Sequence, residues 1–395
     1  MKNKYSLHAL MFFYSTAGAV MFPYLTIYFS KTLTPYQIGI LMAIMPTAML
    51  LLQPFWGWAA DKWGIRRVLI ISLSLTMTSA IGFLFVNSFV GFFIVLSTYS
   101  LFAASISSLI DSLVLSLKSD KYGSIRLWGS IGYGVGAFIS GVFKSRLLGF
   151  WSFVIQICLL VISLIILLSV SNRRFLVIKS NIVESKIEKL RFNERFSFLK
   201  NSNYIILLVS FFLICIVIKG YENFYPIGLN NLKVSGLLMG SSWVIEILPE
   251  IFVFYFLDKI AGKVSAWQIA ITGVILYGTR MALLGLFPVL WVWLVSQPLS
   301  GFAFSFWYFG AVKIINDMVS RNQQASGQAV FWSFCYGAGG LIGSFLSGFI
   351  VNKFGTSSLF KLAAMLCIIS TIILIALSRH VHSKLHKINN IKAVT

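Results

Sequence analysis

Runs of roughly 20 apolar residues recur along the whole chain, and they constrain its fold more than any other feature. A helix of that length crosses the hydrocarbon core of a bilayer. Such runs, in a sequence that is 58% hydrophobic and only 11% charged, predict an all-α membrane protein that crosses the bilayer many times. Transmembrane β-strands would instead alternate apolar and polar residues over about ten positions.

We predict twelve transmembrane spans, at residues 6–29, 36–59, 67–86, 89–116, 125–147, 150–171, 203–224, 236–257, 264–286, 289–313, 325–351 and 357–378. An even number of crossings places both chain ends on the same side of the membrane. Most of the 32 lysine and arginine residues fall on that side, and short basic loops stay in the cytoplasm. The sequence therefore predicts a multi-pass protein of the cell membrane with both termini cytoplasmic.

A short basic turn at residues 61–67 separates the second and third spans, and a related turn at 258–263 recurs about half a chain length later. A recurrence at half length indicates an internal repeat. We therefore predict two pseudo-symmetric six-helix bundles, at 1–171 and 203–380. A cytoplasmic linker at 172–202 joins them, and a cytoplasmic tail at 381–395 follows.

Glycine pairs with the small-xxx-small spacing lie at matching places in the two halves. Gly132 and Gly136 lie in the fifth span, and Gly339 and Gly343 lie in the eleventh. This spacing lets helix backbones approach closely, so we expect tight packing there. A sliding or rocking movement of these helices is a second interpretation, and the sequence leaves it open.

Six ionisable residues lie inside the predicted spans, and a seventh, Arg126, begins the fifth span. The six are Asp111, Lys219, Glu222, Glu246, Glu250 and Arg280. A charge at the bilayer centre costs about 3 kcal/mol, so we expect these side chains to face one another or a water-filled cavity. Lys219 and Glu222 have the spacing of a local ion pair, and a gating role is the alternative.

The arrangement of the acidic residues suggests a proton-coupling group. Trp243, Glu246 and Glu250 share one face of the eighth span, and Arg280 needs a partner from another span, for which either glutamate is a candidate. The intramembrane carboxylates outnumber the bases by one. A carboxyl group buried away from water favours its protonated form. Our hypothesis is that Glu246 or Glu250 carries a coupled proton.

Several classes of partner are not expected. The formal net charge is +21, and most of the basic residues lie in the predicted cytoplasmic loops. The positive-inside rule explains this distribution, so the charge does not indicate nucleic acid binding. The four cysteines lie in apolar runs without paired spacing, so we predict no disulfide, no metal site and no cofactor. We find no phosphate-cradling loop and no nucleophile with a nearby base, so an enzyme is not expected.

Twelve spans in two halves, with the basic turn after the second span, resemble the major facilitator superfamily. The run from Tyr122 to Tyr133 is similar to a signature of its lactose, phenylpropionate and nucleoside proton symporters. The resemblance implies that Arg126 binds substrate and pairs with Asp111, and that Tyr133 stacks on substrate. It also implies a conformational gate formed by Gly57, Asp61, Lys62, Gly64, Arg66, Arg67, Asp258 and Lys259.

The tenth span departs from that branch, which often carries a histidine there. This chain has Gln297, Pro298 and Ser300 in that region, without a histidine or an acid. The proton pathway of the lactose permeases therefore cannot be copied onto this sequence.

The sequence favours a secondary active transporter that works by alternating access. We predict a monomer that moves a small polar or aromatic solute, such as a sugar, a nucleoside or an aromatic acid, by proton-coupled symport. Asp111 and Arg126 would hydrogen-bond the solute, and Tyr133, Trp243 or Trp307 would offer a stacking face. The alternative is a proton/drug efflux antiporter. A sensor of this fold would be expected to carry an additional soluble domain.

Overall fold

The computed structural model describes residues 5–116, 122–147, 150–169, 197–260, 264–320 and 323–394, and within these ranges it is helical apart from short turns. The helices of the amino-terminal part are α1 (Ser6–Phe29), α2 (Pro35–Trp63), α3 (Ile65–Ile81), α4 (Phe89–Ala103), α5 (Ile106–Ser116), α6 (Tyr122–Leu147) and α7 (Phe150–Ser169). A 3₁₀ turn, Gly82–Leu84, extends α3.

The remaining helices follow the predicted linker, of which only the last residues are described. They are α8 (Ser202–Asn231), α9 (Gly236–Ile260), α10 (Ala266–Leu286), α11 (Leu290–Val295), α12 (Gln297–Met318), α13 (Gln324–Phe331) and α14 (Gly339–Val394). A 3₁₀ turn, Ser197–Lys200, precedes α8, and a π-helical segment, Trp332–Ala338, joins α13 to α14. The predicted tail at 381–395 is helical as far as Val394.

Helices of the structure overlap each of the twelve predicted spans. Among the described residues, ten helices are long and apolar enough to cross a membrane. The longest of them, Ser326–Ser383, contains a non-helical residue, Gly355, with φ +79°, and therefore represents two crossings. Helix α6, which is not among the ten, adds a further helix of 26 residues. The predicted all-α membrane architecture is confirmed.

Local capping chemistry explains where two of the helices begin. At the start of α2, the Thr34 side chain accepts a hydrogen bond from the Gln37 backbone, and the Gln37 side chain accepts one from the Thr34 backbone. Ser265 and Gln268 make the same capping box at the start of α10. Each box satisfies two backbone N–H groups that have no partner within the helix.

Three predicted spans differ from the helices. The fourth span is broken into α4 and α5 after Ala103, and the tenth is broken at Ser296. We expected Pro298 to lie inside a continuous span, but it lies in the first turn of α12, where its missing N–H removes no helical hydrogen bond. The seventh span, predicted to end at residue 224, continues through Pro226 to Asn231.

By their contacts, the residues divide into two compact units. Unit 1 comprises Met1–Glu188, Glu222–Ile247 and Ser344–Lys353, and unit 2 comprises Lys189–Tyr221, Leu248–Gly343 and Phe354–Thr395. The division into two six-helix bundles stays a prediction.

In unit 1, α1 packs against α6 and α7, and glycine allows the closest of these approaches. A Cβ atom built on Gly132 would lie 2.4 Å from the carbonyl oxygen of Phe12, and one on Gly136 would lie 2.5 Å from that of Thr16. Only a residue without a side chain fits at either position. The predicted close packing at this glycine pair is therefore present, and α6 is held by α1.

Unit 2 repeats this packing with its own glycine pair. A Cβ atom on Gly343 would lie 2.8 Å from the carbonyl oxygen of Ile216, and one on Gly339 would lie 3.0 Å from Cβ of Cys215. Helix α14 thus lies against α8 as α6 lies against α1. The matched glycine pairs predicted from the sequence make matched contacts.

Candidate functional site

An ion pair joins α5 and α6 in unit 1. Nη1 of Arg126 lies 3.5 Å from Oδ1 of Asp111, and the Arg126 side chain is 53% exposed while that of Asp111 is 27% exposed. The break before α5 restarts the helix at Ile106, and Asp111 follows within this short segment. The structure therefore brings together the two residues that the sequence singled out for binding a solute. The guanidinium retains enough exposure to contact one.

Polar side chains of unit 1 extend inward from this ion pair. Tyr14 of α1 hydrogen-bonds with Ser107 and lies near the charge of Asp111. Deeper in the unit, Nε2 of Gln156 donates a hydrogen bond of 3.0 Å to the hydroxyl of Tyr99. Sequence reasoning missed these residues because isolated tyrosine, serine and glutamine residues in apolar runs give no distinctive pattern.

Tyr133 lies half-buried on α6, between the two glycines that pack against α1. Its helix is regular at this point, so Tyr133 falls two turns after Arg126, on nearly the same face. The predicted stacking of Tyr133 on a solute stays a prediction.

A buried polar cluster in unit 2 surrounds Arg280. This side chain is fully buried, its guanidinium donates a hydrogen bond to Oε1 of Gln297, and it lies 4.3 Å from the ring centroid of Tyr221. Nε2 of Gln297 donates a hydrogen bond of 3.2 Å to the Tyr221 hydroxyl. Three helices, α8, α10 and α12, thus contribute one side chain each. The cluster holds a charge that would otherwise be costly in the bilayer.

The sequence analysis predicts Glu246 or Glu250 as the partner of Arg280. The structure gives Arg280 an amide and an aromatic ring, and its pairing with either glutamate stays a prediction. Both glutamates are half-buried on α9, with Pro249 inside that helix. Gln297, which marked a departure from the family pattern, is thus a direct neighbour of the arginine.

The two tryptophans predicted to bind substrate are buried. Trp243 is 3% exposed and packs edge-on against Tyr225, with ring centroids 6.0 Å apart. Trp307 is 0% exposed and lies among rings that include Phe211 and Tyr336, at 5.9 and 6.0 Å. Both rings are therefore covered by other side chains in this structure, and their contact with a solute stays a prediction.

The basic turn reverses the chain between α2 and α3. Gly64 has φ +91°, a left-handed conformation that favours glycine, and it therefore ends α2. Arg66 donates a hydrogen bond of 2.8 Å to the carbonyl oxygen of Leu168, and Nζ of Lys62 lies 4.9 Å from the Trp58 ring. Gly57 and Arg67 are exposed. The side chains of Asp61, Asp258 and Lys259 lie outside the part of the chain that the structure describes.

Two further glycine contacts in unit 1 lie near helix ends. A Cβ atom on Gly39 of α2 would lie 2.8 Å from Cα of Gly348 in α14. One on Gly141 of α6 would lie 2.5 Å from Cα of Gly240 in α9. Beside the first contact, the Asn223 amide donates a hydrogen bond of 3.0 Å to the Ser344 hydroxyl. We call these two contacts the glycine closures.

Comparisons with known proteins agree with this architecture. The model of the MFS_1 like family matches residues 4–362. The chain is 24% identical to the uncharacterized transporter YwbF of Bacillus subtilis, over 91% of this chain and 89% of that protein. It is 29% identical to a maltose permease of Geobacillus stearothermophilus, over 35% of this chain and 36% of the permease.

Among solved structures, the fold is similar to that of the nucleoside transporter NupG. The TM-score is 0.82 at 17% sequence identity, with 95% of this chain and 99% of the NupG chain covered. A likeness at that identity establishes the fold, which is the one that the resemblance implied. Together with the family match, it shows that the chain is a multi-pass membrane transporter of a small molecule and not an enzyme, and that it belongs to the MFS_1 like family.

Proposed function

We propose that this protein is a proton-coupled symporter of the cell membrane that moves a small polar or aromatic solute by alternating access. The observation that carries the proposal is the Asp111–Arg126 ion pair, which joins two helices of unit 1 and keeps the guanidinium half exposed. Charges inside a membrane protein are costly, and in transporters they mark substrate and ion pathways. A solute with hydroxyl or carboxylate groups would replace water on the guanidinium, because arginine offers several N–H donors in fixed geometry.

The glycine closures support the movement that alternating access requires. With both termini cytoplasmic, as proposed, the start of α2 and of α9 and the ends of α6 and of the first part of α14 lie on the outer side. Gly39–Gly348 and Gly141–Gly240 then hold that side closed. The protein admits a solute from outside when these contacts separate, with the basic turn and its repeat acting as the gate on the cytoplasmic side.

Proton coupling by Glu246 or Glu250 is part of the proposal. Each lies half-buried in α9, on either side of Pro249. A proline inside a helix removes one backbone hydrogen bond and permits a kink, so a movement at this point changes the surroundings of both carboxyl groups. A carboxyl group that meets water in one state and apolar surroundings in the other takes up and releases a proton.

Purified protein in liposomes tests the proposal. Uridine, maltose and 3-phenylpropionate are added outside vesicles that contain a pH-sensitive dye, and an entering solute is expected to acidify the lumen. Glu246→Gln or Glu250→Gln is expected to abolish the acidification, while Asp317→Asn, which removes an exposed carboxylate, is the control. Acidification at the wild-type level in both glutamine variants would refute proton coupling by Glu246 or Glu250.

The alternative, a proton/drug antiporter, predicts that proton and solute move in opposite directions. A lipophilic cation added outside such vesicles would enter as protons leave, and the lumen would become more alkaline. The presence of charged side chains of both signs inside the helices favours a polar solute over this alternative. We propose that the functional unit is a monomer of two six-helix bundles.

A further inference from the structure

Three half-buried aromatic rings form a continuous surface in unit 2. Tyr308 belongs to α12, and Trp332 and Tyr336 belong to the π-helical segment. The ring centroids of Tyr308 and Trp332 lie 5.3 Å apart, and those of Trp332 and Tyr336 lie 4.6 Å apart. The interplanar angles of 48° and 38° tilt each ring against the next. We call these three residues the aromatic platform.

The π-helical segment brings two of the three rings together. π-helical turns are rare, and they occur frequently at functional sites. The sequence Tyr336-Gly-Ala-Gly339 resembles Tyr133-Gly-Val-Gly136, but the latter lies in a regular α-helix. The distortion is therefore specific to the second copy, where the rings of Trp332 and Tyr336 pack against each other at a tilt.

The depth of the platform in the bilayer indicates which way it faces. Tyr336 follows the start of α13 at Gln324 by twelve residues, or about 18 Å at 1.5 Å per residue. With the eleventh span entering the hydrocarbon core at its predicted start, residue 325, Tyr336 lies near the middle of a core roughly 30 Å thick. Tyrosine and tryptophan that contact lipid are enriched at the membrane surfaces instead, where their polar groups meet water. At this depth we expect the exposed part of the platform to face the interior of the protein and not lipid.

A tryptophan beneath the platform has an unsatisfied donor. Trp307 is fully buried, and its ring centroid lies 6.0 Å from that of Tyr336. Among the described residues, its indole Nε1 has no hydrogen-bond acceptor. Buried N–H groups are nearly always hydrogen-bonded, so an acceptor that is not part of the described chain is expected here. A solute oxygen or nitrogen, or a water molecule that accompanies the solute, would supply it when the rings that cover Trp307 move apart.

We propose that the aromatic platform binds a planar ring of the transported solute, so that the substrate is an aromatic or heteroaromatic compound with a hydrogen-bond acceptor. This inference rests on the proposed function and narrows its substrate class to solutes with a planar ring, which can stack face to face on an aromatic side chain. Ring-on-ring stacking is sequence-tolerant in proteins that bind nucleobases and contributes about 5- to 150-fold in affinity per ring.

The test compares two substitutions at one ring. Tyr336→Leu removes the π-face, and Tyr336→Phe keeps it. Uptake of labelled uridine, 3-phenylpropionate and maltose is measured in liposomes, with Phe252→Leu as the matched control. Phe252 also lies in a ring pair, 4.5 Å from Phe256, but it is 59% exposed on the outside of its helix.

We expect the wild-type protein to take up uridine or 3-phenylpropionate. The KM for that solute is expected to rise about 5- to 150-fold in Tyr336→Leu. In Tyr336→Phe and Phe252→Leu the KM is expected to stay within about twofold of the wild-type value. If Tyr336→Leu melts at a lower temperature than wild type, Trp332→Leu provides the second test of the same surface. Uptake of maltose alone, or an unchanged KM in both leucine variants, would overturn the platform and leave the transporter function standing. Uptake of none of the three solutes would instead count against the proposed function.

Discussion

Replacing Gly39 by valine tests whether the glycine closures open during transport. A Cβ atom at this position would meet Cα of Gly348 and the carbonyl oxygen of Ser344, each at 2.8 Å. Favourable contacts between carbon atoms begin near 3.5 Å, so α2 and α14 must separate by about 0.7 Å even for the first added atom. Overpacking of this kind costs about 1–3 kcal/mol.

In the proposed cycle that cost falls only on the closed arrangement, because opening separates the two helices. A difference of about 1–3 kcal/mol changes the ratio of open to closed molecules about 5- to 150-fold. Ser344, which is fully buried beside the contact, reports on this change as Ser344→Cys in a background without the four native cysteines. Its reaction rate with a membrane-impermeant maleimide is expected to rise by the same factor when Gly39→Val is added.

Gly18→Val is the matched control, since its Cβ would find its nearest neighbour at 4.0 Å, an ordinary contact. It adds the same side chain to a helix of the same unit and is expected to leave the labelling rate unchanged. Equal labelling rates in the Gly39 and Gly18 variants would refute the reasoning. So would a slower rate in Gly39→Val, because it would mean that the valine stabilises the closed contact.

Three further predictions concern the glycine packing, the buried arginine and the basic turn. Gly136→Leu is expected to lower the melting temperature of the detergent-solubilised protein, because its side chain would overlap the Thr16 carbonyl of α1; unchanged melting would contradict this packing. Gln297→Leu removes the amide that accepts from Arg280 and should cost about 1–3 kcal/mol in denaturant unfolding, whereas Gln297→Glu should cost less, since it restores an acceptor. Gly64→Ala should lower the free energy of unfolding by about 1 kcal/mol in the same assay. No atom would contact the added Cβ, but a residue with a side chain is strained at φ +91°. Equal stability of variant and wild type would show that the turn changes its conformation to remove this strain.

Much of the fold was predictable because a bilayer imposes simple rules. A helix must be about 20 apolar residues long to cross, so long apolar runs located most of the spans. Small residues at a spacing of four permit close helix approach, and the contacts of Gly132, Gly136 and Gly343 follow from that rule. The pairing of Asp111 with Arg126 was implied by the family resemblance and is present at 3.5 Å.

The remaining features depend on tertiary contacts that periodicity does not record. Hydropathy does not reveal a break such as the one at Ser296, because an interrupted span is as apolar as a continuous one. Counting charges predicted an acidic partner for Arg280. A neutral amide from α12 and a tyrosine ring from α8 also stabilise a buried guanidinium, and they are the contacts that Arg280 makes. The π-helical segment at Trp332–Ala338 contains a run similar to one in the regular helix α6, so the sequence did not predict the distortion.

The central claim, that the Asp111–Arg126 pair binds the transported solute, is tested most directly by exchange of labelled solute in liposomes. The double variant Asp111→Asn/Arg126→Gln removes both charges together and leaves neither one unpaired in the membrane. We predict that wild-type protein exchanges at least one of uridine, maltose and 3-phenylpropionate. The double variant, with an unchanged melting temperature, is expected to exchange none. Exchange by the double variant at the wild-type rate would contradict the account.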